Sequence, residues 1–148
     1  MDGFRVAQLD HVELFVPDRD AAAAWYARTL GLQIVPEHAP WAADPRGPLM
    51  IATAHAGTKL ALFAGEPQGT RPTAGFHRVA FRVSRRDFEA FLAHVRQNPV
   101  FDERGEEVRE LVVRDHGAAL SVYLCDPYGH RLEVTTYDVA PAAGAGGE

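Results

Sequence analysis

The chain has 148 residues, 47% hydrophobic and 24% charged, enough for one sizeable core and too few for several large domains. Fifteen Lys and Arg against 20 Asp and Glu leave a formal charge of −5, which repels a phosphate backbone, so nucleic acid is not an expected partner. Cys125 is the one cysteine, no run approaches the roughly 18 apolar residues of a membrane helix, and the opening residues carry no export signal; the expected setting is cytoplasmic and reducing, with no membrane partner.

Residues 8–16 alternate, Val12, Leu14 and Val16 on one face and His11, Glu13 and Phe15 on the other, which predicts a strand with a polar face. Asp18 is placed to cap a helix over 19–30 that carries four consecutive alanines and Trp25-Tyr26 and is stopped by Gly31. Short β segments follow at 33–35, 49–54 and 59–64, the last two joined through Ala56-Gly57. Between them, residues 36–48 carry four prolines and Trp41 and read as a long loop, either a lid over a cavity or an ordinary insertion. The order then repeats. Residues 76–83 form a strand, Ser84 with Asp87 opens a helix whose stripe is Phe88, Phe91, Leu92 and Val95, and Asn98-Pro99 closes it. Three further β segments are expected at 108–113, 120–124 and 131–137.

A shift of 67 residues superposes Val12, Leu14, Val16 and Asp20 on Val79, Phe81, Val83 and Asp87. That is a duplication of a β-α-β-β-β module rather than a short repeat. The expected organisation is an α+β single domain over 1–138, with modules at about 8–64 and 75–138 and a disordered tail at 139–148.

The ionisable residues of most interest fall on strands. His11 and Glu133 each oppose apolar neighbours, and an imidazole and a carboxylate aimed into whatever the sheet encloses must meet each other, another polar group or a metal. Arg78 and Arg82 share the parity of Ala80, so they either pair with Glu13 and Glu133 or bind an anionic substrate. His94 on a solvated helix and His130 beside Arg131 read as structural.

Three strings carry a family resemblance: Leu-Asp-His-Val-Glu-Leu-Phe-Val with Trp25-Tyr26 and Leu30-Gly31-Leu32, then Phe-His-Arg-Val-Ala-Phe-Arg-Val, and most specifically Tyr-Leu-Cys-Asp-Pro-Tyr-Gly-His-Arg-Leu-Glu. Over residues 8–138 the chain resembles the vicinal oxygen chelate superfamily, which includes glyoxalase I, fosfomycin-modifying enzymes, extradiol dioxygenases and bleomycin-binding proteins. The resemblance implies two half-open barrels, paired, a homodimer, and a divalent metal held by His11, Glu133 and a second histidine, His77. Period-2 alternation from Val83 instead puts Arg78 in the slot matching His11; one extra residue in the strand would restore His77. Ala61 stands where glyoxalase I has a fourth ligand, and Glu13 where fosfomycin-modifying enzymes have threonine, so neither activity is expected. Two histidines and one carboxylate suit Fe(II) or Mn(II), with Zn or Ni as further options.

The closing string also resembles the extradiol pattern, with His116, Val122, Tyr123, Asp126, Pro127, Gly129 and Glu133 in order and only Arg114 departing from it. The resemblance implies that Tyr123 hydrogen-bonds a substrate oxygen and that His116 handles a proton; the residues expected to line the substrate site are Arg78, Arg82 and Glu13, with Phe15 and Trp41. The leading expectation is a small-molecule metalloenzyme of dioxygenase-like type. The alternative is a metal-free drug- or metabolite-binding protein, supported by a guanidinium in a ligand slot.

Overall fold

A computed structural model of the chain describes residues 3–67, 69 and 71–139. The chain divides into two units, Met1–Pro72 and Thr73–Glu148.

In the first unit the strands are β1 (His11–Val16), β2 (Gln33–Ile34), β3 (Leu49–Ala52) and β4 (Lys59–Ala64), with helix α1 (Arg19–Leu30) after β1. Asp18 holds extended backbone while its Oδ1 accepts from the amides of Asp20 and Ala21, both at 3.0 Å, and Gly31 ends the helix at φ 73°, a left-handed conformation open to glycine. The sheet order is β1-β4-β3-β2, so the chain leaves β1, crosses by α1 to the far edge and steps back until β4 lies parallel to β1. Leu14, Val16, Leu60, Leu62 and Ile51 are buried and share one face by register. Ala22, Ala23, Tyr26 and Thr29 of α1 are buried as well, and the small alanines let the helix approach closely.

The second unit has β5 (Val79–Arg82), helix α2 (Arg85–Gln97), β6 (Val100–Phe101), β7 (Glu107–Val108), β8 (Arg114–Asp115), β9 (Leu120–Cys125) and β10 (Arg131–Thr136). Its sheet runs β5-β10-β9-β6-β7 with β8 on β9, and β5 lies parallel to β10 as β1 does to β4. Ser84 Oγ accepts from the Asp87 amide at 3.1 Å, the capping pattern read from the sequence. Phe88, Phe91 and Val95 are buried on α2, and Val122, Leu124, Leu132 and Val134 are buried on the two long strands.

Three expectations need correction. The strand expected over 76–83 is shorter, because regular pairing with β10 begins only at Val79. The strand expected at 108–113 is two short pairings, β7 and β8, with irregular backbone between them in which Val112 is exposed. Residues 36–48 are not without structure: Pro36–Ala43 forms a 3-10 helix, whose tight turns suit the missing amides of Pro36 and Pro40. Arg19, at the start of α1, donates to the carbonyl oxygens of Ala42, Asp44 and Gly47 and pins that segment. Of the tail expected at 139–148, all but Val139 lies outside the described residues.

Candidate functional site

The second unit builds a polar face. In register, Glu133 of β10 lies beside Ala80 of β5 and opposite Tyr123 of β9, with Arg131 opposite Cys125 and Thr135 opposite Ser121. Alternation sends Leu132 and Val134 to the buried side and Arg131, Glu133, Tyr123 and Arg82 to the other.

His77 and Arg78 precede the regular part of β5, so strict alternation does not bind them. Both meet residues of the Glu133 face. His77 Nδ1 accepts from the Arg131 guanidinium at 2.9 Å, while the Arg78 guanidinium carbon lies 4.6 Å from the Tyr123 ring centroid. Such a cation over an aromatic face is attracted by the ring quadrupole. Arg131 also donates to Glu103 at 3.4 Å, and Arg78 faces the same carboxylate at 3.9 Å. The carboxylate that Arg78 meets in its unit is thus Glu103, not Glu133. Among the described residues buried Arg78 Nε has no acceptor. Arg82 lies over the Tyr137 ring, 5.0 Å from its centroid.

Tyr123 has a second partner. His116 Nε2 is 2.8 Å from its hydroxyl, held there by a turn in which Asp115 Oδ1 accepts from the Gly117 amide and the His116 amide donates to Ala119. A recess of about 110 Å³ beside Tyr123 is lined by Arg78, Asp102, Glu103, Leu124 and Cys125. A larger one of about 210 Å³, also bordered by Tyr123 and Asp102, is walled by Phe101, Val108, Leu111 and Arg114. Burial pushes the Cys125 thiol up, and nearby Glu103 adds to this, so it lines the recess as a neutral group. Asp102 is turned to its own loop: backbone amides of Glu106 and Arg104 bond its Oδ1 and hold its carboxyl below the ordinary value.

Asp126 is buried in the turn between β9 and β10; its Oδ1 accepts from the amides of Tyr128 and His130, and its Oδ2 lies 2.7 Å from His130 Nδ1. His130 is thereby a turn residue.

In the first unit, both ring nitrogens of His11 meet carboxylates, Nδ1 with Asp10 at 2.8 Å and Nε2 with Glu13 at 3.1 Å. Asp10, then Glu13, hold the imidazole's pKa above its usual value. Lys59 bonds Asp10 at 3.0 Å. Phe15 packs against Phe63 with centroids 5.9 Å apart. Trp41 is 49% exposed and stacks on His38 at 4.0 Å.

The donor set in the second unit does not suit a divalent cation. His77 shares a hydrogen bond with one guanidinium, a second lies over Tyr123, and neither can ligate a metal. Within neither unit, among the described residues, do three or more His, Cys, Asp or Glu side chains gather so as to hold a metal ion. Reasoning from sequence missed Glu103 and Arg131. Arg131 was readable, two positions before Glu133 and so on its face; Glu103 sits in a loop turned by Asp102 and Gly105, where periodicity carries no signal.

Two units, each a strand, a helix and further strands with first and last strands joined in parallel, the second carrying β7 and β8 beyond the β-α-β-β-β order of the first, define an α+β protein of the glyoxalase/bleomycin resistance/dioxygenase fold. The family model described as the Glyoxalase/Bleomycin resistance protein/Dioxygenase superfamily matches residues 8–134, and the chain belongs to that superfamily. Among solved structures it is similar to an integron cassette protein from V. cholerae (25% identity, 93% of this chain and 100% of that one, TM-score 0.63). It is also similar to the fosfomycin resistance protein FosX of Listeria monocytogenes (15%, 91% and 97%, TM-score 0.65). A third similar structure is the oxidase ChaP-H2 (23%, 96% and 99%, TM-score 0.62). Among curated proteins none matches the chain.

Proposed function

We propose that the chain is a metal-independent small-molecule-binding member of its superfamily, holding a drug or metabolite on the polar face of the second unit. The observation that carries this reading is the Arg78 guanidinium seated over Tyr123, the residue in register with Glu133. A cation fixed there repels a divalent metal and attracts an oxygen-bearing or anionic guest. The two recesses flanking Tyr123 give such a guest room. A homodimer and a cytoplasmic setting go with this reading, and the unpaired, buried Cys125 suits a reducing compartment.

A second reading, a dioxygenase-like metalloenzyme using His11, His77 and Glu133, is favoured by the Tyr123–His116 hydrogen bond. In that reading Tyr123 donates to a substrate oxygen and His116 accepts a proton.

Fluorescence titration with anilinonaphthalene sulfonate, an aromatic anion, separates the two. Saturable binding is expected before and after dialysis against a chelator, and weakened binding in Arg78→Gln. Loss of all binding after chelator treatment contradicts the proposal.

A further inference from the structure

Resting on that small-molecule reading, we infer that the recess beside Tyr123 takes the carboxylate of a monoanionic organic acid on the Arg78 guanidinium, and that Glu103 is an internal carboxylate this acid displaces. A guanidinium is a planar fork of N–H donors, strongest when a carboxylate accepts from two of them at about 2.7–2.9 Å. Arg78 is far from that state. Among the described residues its nearest carboxylate is 3.9 Å from Nη2, and its buried Nε–H has no acceptor. An unsatisfied buried donor is destabilising, a deficit that an acceptor oxygen removes.

Glu103 is suited to the part of displaceable occupant. Its side chain is 61% exposed, it sits on the loop between β6 and β7, and it is shared between Arg78 and Arg131 at 3.9 and 3.4 Å, too long for either bond to be strong. Swinging outward returns it to water at little cost. Asp102, the other carboxylate lining the recess, bonds its own turn and does not compete for Arg78.

The chemistry of the walls sets the rest of the guest. The 110 Å³ recess holds a head group of a few atoms, whereas the 210 Å³ recess past Tyr123 offers Phe101, Val108, Leu111 and Val112 to an apolar or aromatic body, with Asp102, Glu110 and Arg114 as charged groups around it. Glu133, half-buried on the same face, repels a second negative charge, which makes the favoured acid a monoanion.

The test is calorimetric titration of the full chain, freed of metal by chelator, with benzoate and with its uncharged isostere benzamide. Benzoate should bind about tenfold or more tightly than benzamide, the equivalent of one charge-assisted hydrogen bond. Arg78→Gln should abolish that preference, and Arg78→Lys, which keeps the charge but loses the fork, should recover only part of it. Glu103→Gln should tighten benzoate severalfold by removing the internal competitor. Circular dichroism confirms that each variant is folded. Equal affinity for benzoate and benzamide, or a Glu103→Gln affinity no tighter than that of the parent, overturns the inference while leaving small-molecule binding intact. No binding of benzoate up to its solubility limit also overturns it. Benzoate binding that appears only on adding Mn(II) overturns the metal-independent reading itself.

Discussion

Asp102 shows how one carboxylate can fix a loop and leave a trace in the pH dependence of stability. Its Oδ1 accepts backbone N–H bonds from Arg104 at 2.8 Å and Glu106 at 3.0 Å, which depress its pKa below the ordinary 3.8. A depressed acid stabilises the fold while it is ionised, fully above about pH 4, and that contribution is lost as pH falls through the folded-state value. Denaturant unfolding of Asp102→Asn should therefore show a deficit at neutral pH that shrinks below pH 4. Cys125 offers a second check. It is 1% exposed with a pKa raised chiefly by burial, so iodoacetamide should label it slowly in the native protein and fully after unfolding. At this scale the sequence revealed types but not partners. It marked Tyr123 and His116, which the structure joins at 2.8 Å, yet Arg78 with Glu103, and Arg131 with His77, rest on irregular backbone before β5 and in the loop after β6, where alternation gives no guidance.

Among the elements, α1 is the best specified and bears the most on the loop after it. Asp18 caps it, Gly31 closes it, and Arg19 reaches from its first turn to the carbonyl of Ala42 at the end of the 3-10 helix and to those of Asp44 and Gly47 just after it. Asp18→Ala should cost about 1 kcal/mol, as loss of an N-cap does. Arg19→Ala should cost about 1.5–3 kcal/mol, because half-buried charge-assisted bonds are lost together. It should also raise amide exchange across 42–47 while leaving β3 and β4 protected. Thermal or denaturant unfolding with hydrogen exchange reads both effects. The helices and long strands were legible because caps and periodicity agree there; β5 starts late and 108–113 splits because pairing partners, not propensity, decide strand limits.

Across the whole molecule, duplication was the strongest signal. The offset of 67 that aligns β1 with β5 also aligns β2 with β6, after which the second unit spends extra residues on β7 and β8 and so acquires the recesses around Tyr123. Superfamily membership follows from the match over residues 8–134, while the chemistry rests on substitutions within that frame, above all the guanidinium of Arg78. The proposed function requires that this member work without a metal. Elemental analysis of protein purified without chelator, alongside Glu133→Ala, tests it most directly. The account predicts far less than one metal ion per chain in both preparations. One ion per chain in the parent, lost on Glu133→Ala, would contradict it.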